Sequence, residues 1–301
     1  MMEFLMEPKI LWTYLNIADP IVAWETYRGV LISPDCYRIE DNPAISFWQL
    51  KFLKNIESNK SINELKLEMI RQQFYSPKIS RFRGFYYFED RETAEKAANL
   101  WGVGYMNPFC LAQVAIDAKS LYSKMDSNWI TYYLSKDNAN DDWMHKYWRG
   151  DICPHFDSPI WELLVVARGY ILGTELRSRA YENIKNNNPT TILPMLEQAR
   201  IAAWLDSDLG HTAPYIIQLG TNRYKVGFIM DMHDAKNDNY LHRLKQYMEN
   251  PENKSRINYE DLKLIDRYNK FSVLDARVKS FEFSIPSNLN MHFDIKKLSH
   301  E

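Results

Sequence analysis

The sequence predicts an α+β fold, and three observations carry that reading. Apolar runs dense in β-branched and aromatic residues, at 9–17, 85–88 and 161–171, read as buried strands because polar side chains hardly interrupt them. Between them stand segments with helical spacing and recognisable caps. Neither an internal repeat nor a heptad pattern is present, which excludes a solenoid or a coiled coil. The 301 residues, 46% hydrophobic and 25% charged, suffice for one or two domains with a sizeable core.

The first strand is KILWTYLNI, residues 9–17. A short helix follows, with Asp19 as its cap, Pro20 at the first position, where no amide is needed, and Gly29 as a left-handed exit after Arg28. Val30-Leu31-Ile32 then runs extended to Pro34. Ser61-Ile62-Asn63-Glu64 reads as a capping box opening an amphipathic helix, with Ile62, Leu65, Met69 and Ile70 on one face. Phe85-Tyr86-Tyr87-Phe88 is a second strand, and Asp90 caps a helix in which Ala94, Ala97, Ala98 and Trp101 share a face before Gly102. Leu111 to Asp117 reads as a strand, 135–160 as a long polar and aromatic loop, and Trp161 to Ile171 (WELLVVARGYI) as the strongest strand of the chain. Asn186-Asn187-Asn188-Pro189 marks a break before a helix over about 191–205. From His211 onward, strand-like PYIIQL and FEFSI mix with a polar helical region. This divides the chain into a core domain, 1–205, and a C-terminal α+β extension, 206–301.

Composition removes several functions. With 37 Lys+Arg against 39 Asp+Glu, the net charge of −2 provides no whole-protein field toward nucleic acid or acidic membrane. Glycine numbers only 10, no G-x-x-x-x-G-K-[ST] occurs, and Gly102 and Gly104 lack the third glycine of a dinucleotide fingerprint, so P-loop and Rossmann sites are rejected. Cys36, Cys110 and Cys153 have no C-x-x-C spacing, and His145, Cys153 and His155 lack the spacing of a metal site. Free thiols, a non-basic start at Met1 to Pro8 and the lack of a long apolar run lead us to expect a soluble, cytoplasmic protein with no membrane partner.

Strand, capped helix, glycine and strand (9–33), G-x-Y-Y-F before an alanine-rich helix (84–101), and a strand opening with Glu (161–172) occur in that order. The order resembles the ADP-ribosyltransferase fold, particularly the poly(ADP-ribose) polymerase catalytic domain. Ile10-Leu11-Trp12-Thr13 is similar to that family's leucine-leucine-tryptophan-histidine strand, with Thr13 at the histidine position. Gly84-Phe85-Tyr86-Tyr87-Phe88 is similar to its G-x-Y-F strand, with one extra residue, and places Tyr87 at the tyrosine position. Glu162-Leu163-Leu164-Val165-Val166 looks like its glutamate-led strand. Tyr147-Trp148-Arg149-Gly150 ahead of Trp161-Glu162 also resembles a set of uncharacterised bacterial proteins. The likeness covers 9–175. It implies a core of two packed, mostly antiparallel sheets flanked by helices, with NAD as co-substrate.

Cleavage of the nicotinamide–ribose bond passes through an oxocarbenium-like state, and the cationic pyridinium departs neutral, so no general acid is needed. The resemblance assigns Glu162 to hold a ribose hydroxyl and stabilise developing positive charge, Tyr87 to stack on the nicotinamide, and Thr13, or Tyr14 beside it, to orient the ribose and amide. Plainer readings stand beside these. Glu162 at a strand start is also an ion-pair partner by default, Thr13 an ordinary strand threonine, and Tyr87 a core residue, since alternation lets only one of two adjacent tyrosines face a cleft. Arg28, in the last turn of its helix, suits the helix dipole. Arginine-modifying relatives carry an acidic residue where this chain has Ile160, which disfavours an arginine target.

Residues 51–83 hold eight Lys/Arg, including Arg81 and Arg83, against three Glu, interleaved with Phe74, Tyr75 and Phe82. Such a stretch reads either as a phosphate-backbone surface or as a solvated helix face followed by a basic loop. The loop before Glu162, with Trp148, Arg149 and Phe156, lies where the resemblance places acceptor recognition. The expected function is mono-ADP-ribosyl transfer to a macromolecule, with RNA or DNA preferred over protein. The resemblance further implies a toxin or defence role with an inhibitory partner protein. The alternatives are an NAD glycohydrolase and a binding module that has lost the site.

Overall fold

Strand β1 (Lys9–Tyr14) leads into α1 (Pro20–Arg28), where the expected signals operate: Asp19 accepts from the Ile21 and Val22 amides, and Gly29 leaves the helix at φ 89°. The computed structural model describes residues 7–37, 44–137, 140–264, 272–276, 279–289, 291 and 293. After β2 (Val30–Ile32) and α2 (Leu50–Lys54), α3 (Asn59–Phe74) starts earlier than the capping-box reading. Ser58, in extended conformation, is its cap and accepts from the Ser61 amide, while Glu64 is drawn into a buried ion pair instead of reaching back. Strand β3 (Phe85–Tyr87), α4 (Arg91–Trp101, capped by Asp90 and Gly102) and β4 (Leu111–Ile116) follow as expected.

The middle of the chain departs from expectation. Strand β5 (Leu121–Asp126) and α5 (Asn128–Tyr133) were not foreseen, and α6 (Asp142–Arg149) occupies the segment read as loop. Trp143, Met144, Tyr147 and Trp148 bury one face of α6, so its aromatic residues are amphipathic helix, not loop. The WELLVVARGYI run divides into β6 (Trp161–Val166) and β7 (Arg168–Ile171). The remainder comprises α7 (Glu175–Asn187), α8 (Leu193–Trp204), β8 (Thr212–Gly220), β9 (Arg223–Met230), α9 (Asp238–Glu249), α10 (Tyr259–Leu262) and β10 (Phe281–Ser284).

Among the described residues all strand pairs are antiparallel, in three sheets ordered β1-β4-β7-β2, β3-β6-β5 and β10-β9-β8. The first two are continuous at two points. Trp12 and Phe88 exchange backbone hydrogen bonds of 2.9 and 2.8 Å, joining β1 to the end of β3. At Ala167 the chain passes from β6 in one sheet to β7 in the other. Ser33 clasps that crossing: its amide donates to the Ala167 carbonyl at 3.1 Å, and its Oγ accepts from the Ala167 amide at 2.9 Å. Leu11, Val114, Leu163, Val165 and Ile171 fill the space between the sheets. Gly169 is required there, since a Cβ would sit 2.6 Å from Val114 Cγ1 and 2.8 Å from the Tyr87 hydroxyl.

The 205/206 division does not separate two cores. Ile21 and Trp24 of α1 share one cluster with Tyr240, Leu274 and Ala276, and Leu53 and Leu65 share another with Val226 and Phe283. The segment 207–212 is bound directly to α1: Trp24 Nε1 donates to the Gly210 carbonyl at 2.7 Å and Arg28 Nη2 to the Ser207 carbonyl at 2.9 Å. Arg28 is thus a buried structural residue. Among the described residues no helix is long and apolar enough to cross a membrane.

Candidate functional site

A cleft of about 600 Å³ opens at the β1/β3/β6 edge, with Thr13, Tyr14, Gln49, Tyr86, Trp101 and Glu162 in its walls. Strand parity decides what faces it. In the β3/β6 pair Tyr86 stands opposite Leu164 and Tyr87 opposite Leu163. Side chains alternate, so Tyr86 shares a face with Leu164 and Glu162, whereas Tyr87 shares the opposite face with Leu163 and Val165. Tyr87, only 2% exposed, packs between the sheets among Leu11, Val114 and Leu163, and its hydroxyl lies against Gly169. It borders the cleft, but its ring is core. The ring of Tyr87 thus offers no face to the cleft, and the ring on the same side of the strand as Glu162 is that of its neighbour Tyr86.

Glu162 is 4% exposed and sits in a buried polar network. Arg81 grips Glu64 through two bonds, Nε to Oε2 at 2.9 Å and Nη2 to Oε1 at 2.8 Å, and reaches Glu162 Oε1 with Nη1 at 2.8 Å. The Tyr147 hydroxyl accepts from Arg81 at 2.6 Å and donates to the same Glu162 oxygen at 2.6 Å. Glu162 Oε2 accepts no bond from any described residue. One oxygen is anchored and the other has no partner among the described residues. Burial pushes the Glu162 carboxyl above the usual carboxylate range, while Arg81 and Tyr147 pull it back. Burial also pushes the Tyr147 and Tyr86 hydroxyls well up, so both remain protonated donors. With two carboxylates on one guanidinium, the ionised cluster is a net anion.

Tyr86 is fixed from three sides. Gln49 Nε2 donates to its hydroxyl, that hydroxyl donates to the Arg81 carbonyl at 3.1 Å, and the Arg81 guanidinium lies 5.2 Å from its ring centre. Trp48 meets Tyr86 edge-on at 6.2 Å and Tyr105 at 6.2 Å, completing an aromatic wall. The Gln49 amide oxygen is buried without a partner. A second cavity of about 370 Å³ adjoins the cleft, and Trp48, Lys51, Val103 and Tyr105 line both. Its walls come from Leu15 and Asn16 after β1, from α1 and β2 and, beyond the expected core domain, from His211, Thr212 and Ala213 of the C-terminal region.

The remaining sequence-predicted residues are distributed as follows. Thr13 lines the cleft, but its hydroxyl donates to the Tyr86 carbonyl at 2.9 Å and ties β1 to β3. Tyr14 also lines the cleft and packs on Phe88, Ala94 and Ala97. Arg81 belongs to the site, as partner of Glu162 and not as a surface cation. Arg83 pairs with Asp35 and donates to the Ala44 carbonyl at 3.1 Å, away from the cleft lining. Trp148 is core, its Nε1 donating to the Leu67 carbonyl at 2.9 Å. Arg149 is an exposed partner of Asp151, and Phe156 packs on the α6 cluster, so neither joins the site. Gln49, Glu64, Tyr86 and Tyr147 went unassigned in the sequence. Tyr147 carried a signal as the first residue of the Tyr-Trp-x-Gly segment, and Tyr86 as the other of two adjacent tyrosines of which one can face a cleft.

The basic stretch largely dissolves. Lys66 pairs with Asp141, Arg71 with Glu68, Arg81 with Glu64 and Arg83 with Asp35. These pairs leave Lys51, Lys54, Lys60 and Lys78 of the eight without an ion pair among the described residues, and Lys51 and Lys60 line the cleft. The sequence matches no protein-family model and no curated protein.

Proposed function

We propose that this chain cleaves the nicotinamide–ribose bond of NAD and transfers ADP-ribose to a macromolecular acceptor. The observation that carries this reading is Glu162, with one carboxylate oxygen anchored by Arg81 and Tyr147 and the other unpartnered in the wall of an aromatic-lined cleft. A buried anion so placed stabilises positive charge developing on a bound sugar, and its fixed geometry requires no reorganisation as that charge forms. Tyr86, Trp48 and Tyr105 offer ring surfaces for a flat cationic heterocycle. The two adjoining cavities suit a ligand with two ring-bearing halves joined across Lys51, whose ammonium would oppose the linking phosphates.

In the reaction the ribose C1′–nitrogen bond breaks and its electron pair neutralises the pyridinium. An acceptor O–H or N–H then supplies the lone pair that bonds C1′, and its proton goes to solvent. Four of the eight cations of the basic stretch are paired within the fold, which weakens the ground for preferring nucleic acid over protein as acceptor. With water as acceptor the same scaffold is an NAD glycohydrolase.

The test incubates the full chain with adenylate-labelled NAD and separate RNA, DNA and protein pools, comparing wild type with Glu162→Gln. We expect nicotinamide release and a labelled polymer, both lost in the variant. Release without labelled polymer selects the hydrolase. NAD binding without release, or release unaffected by the substitution, overturns the catalytic reading of Glu162.

A further inference from the structure

We infer that Glu64, which lies outside the cleft wall, is a positioning residue for Glu162: it takes the paired N–H groups of Arg81, leaves Glu162 a single guanidinium bond, and so keeps Glu162 Oε2 free of a protein partner. This rests on the catalytic reading of Glu162 above.

Glu64 stands in the second turn of α3, is fully buried and is absent from the cleft lining, so it acts on a ligand only through its neighbours. Arginine carries five N–H groups, and its firmest grip on a carboxylate sets two parallel ones on two oxygens. Glu64 receives that grip, from Nε at 2.9 Å and Nη2 at 2.8 Å. Glu162 receives Nη1 alone, at 2.8 Å, and shares it with the Tyr147 hydroxyl, 2.6 Å away. That hydroxyl donates its own proton to the same Glu162 oxygen, Oε1, at 2.6 Å. Both holds on Glu162 therefore fall on one oxygen, which fixes the carboxylate and leaves Oε2 unpartnered among the described residues.

Two buried carboxylates divide one cation here, and the division is unequal. In Glu64→Gln the amide offers a single acceptor oxygen and no charge, so the guanidinium gains by turning its paired N–H groups onto both oxygens of Glu162. Oε2 would then be taken, and the charge of Arg81 would face Glu162 undivided. Burial does most to raise the Glu162 carboxyl, Arg81 and Tyr147 draw it down, and the Glu64 charge adds to the rise. Removing that charge lowers the carboxyl twice, by ending a repulsion and by strengthening the pair with Arg81. The other groups around it are Tyr86 of β3 and, in the same cleft wall, Lys51 of α2 and Lys60 of α3, while its partner across the sheet is Met125 of β5.

The test follows the Glu162 side-chain carboxyl by ¹³C NMR from about pH 4 to about pH 9 in the full chain, assigned with Glu162→Gln, beside the kinetics of nicotinamide release from NAD. In Glu64→Gln we expect Glu162 to titrate at lower pH than in wild type, the acid limb of release to move the same way, and kcat to fall about tenfold or more with KM within about threefold. Glu64→Asp, a worse match in size but still a carboxylate, should stay nearer wild type than Glu64→Gln in both readouts. Glu197→Gln, which breaks a buried pair with Arg200 outside the cleft lining, should move neither. An unmoved Glu162 titration or undiminished release in Glu64→Gln, Glu64→Asp worse than Glu64→Gln, or an equal effect of Glu197→Gln overturns the inference. If Glu64→Gln does not fold, a crystal structure of the wild-type chain with NAD decides: Oε2 against the ligand with the paired N–H groups on Glu64 supports the inference, and Arg81 on both oxygens of Glu162 overturns it. A wild type that releases no nicotinamide, with the Glu162 titration still moved in Glu64→Gln, sinks the catalytic reading alone, and release that ignores Glu64→Gln sinks this inference alone.

Discussion

Replacing Arg81 by methionine keeps a side chain of similar length but leaves Glu64 and Glu162 buried without their cation. Arg81 makes two bonds to Glu64, one to Glu162 and one to Tyr147, all from a side chain with about one-twentieth of its surface exposed. Removing one member of such a buried pair costs about 3–5 kcal/mol, because the charge left behind has neither water nor a partner. At roughly 2 °C per kcal/mol for a chain of this length, the melting temperature should fall by about 6–10 °C. The deficit should depend on pH with a definite sign. Without the guanidinium, burial acts on the Glu162 carboxyl with no cation to oppose it, so that group titrates higher in the fold than in the unfolded chain and the folded state holds a proton that the unfolded chain has lost. Stability is then greatest below the unfolded value of about 4.3 and falls as pH rises through the folded value. The variant should therefore lie closest to wild type near pH 4 and furthest from it near pH 8. Adding Glu64→Gln and Glu162→Gln to Arg81→Met should restore most of the loss, since a neutral, packed replacement of a buried ion cluster is tolerated. Urea denaturation monitored by circular dichroism across this pH range measures all of it. A single variant within about 1 kcal/mol of wild type at pH 8, or a triple variant no better than the single, would refute the buried triad.

Glu162→Gln should abolish nicotinamide release while leaving stability at pH 8 unchanged or higher; burial raises this carboxyl in the fold, so its ionisation is a cost that falls due as pH climbs above the unfolded value, and thermal melts should show a shallower pH slope in the variant. Wild-type turnover should carry an acid limb above the ordinary carboxylate range for the same reason, visible in a pH–rate profile. Gly169→Ala should lose about 1–3 kcal/mol by overpacking against Val114 and Tyr87, and Tyr87→Phe should relieve part of it, measured as a double-mutant cycle in urea. Trp24→Phe removes the 2.7 Å bond to the Gly210 carbonyl and should cost about 1–3 kcal/mol, read from the same denaturation curves.

Local chemistry was the legible part of the fold. Asp19 and Gly29 bound α1, and Asp90 and Gly102 bound α4, because capping is decided by the residue itself and the amides beside it. Strand β5 escaped notice because it is an edge strand whose Leu121 and Tyr122 stay exposed, so its sequence LYSKMD lacks a clean apolar alternation. Helix α7 buries only Leu176, Ala180 and Ile184, a stripe too narrow to stand out from its polar residues. The division of 161–171 between two sheets was equally hidden. It depends on Ser33, more than a hundred residues away in the chain, holding the crossing at Ala167.

The site divides along the same line between local and distant causes. Glu162 was singled out because it opens an apolar strand at the position where the resemblance places a glutamate, since by itself a Glu at a strand start reads as an ion-pair partner. Its partners were not, since Arg81 looked like one more cation in a basic stretch until the carboxylates of α3 closed on it. Glu64 and Glu68 lie on the same helix as some of those cations, and folding turns a run of charge into internal pairs that no count of residues reveals. The choice between Tyr86 and Tyr87 is the sharpest case. Both stand in one strand, and their order in the chain is silent about which of them meets the cleft. A single register, Tyr86 opposite Leu164, sends one ring toward Glu162 and the other between the sheets. A slip of one residue would exchange them and move Tyr87 off Gly169, the position whose missing Cβ accommodates it. Glycine at 169 and tyrosine at 87 thus fix the parity together, and the residue facing the cleft follows from how the core is packed behind it.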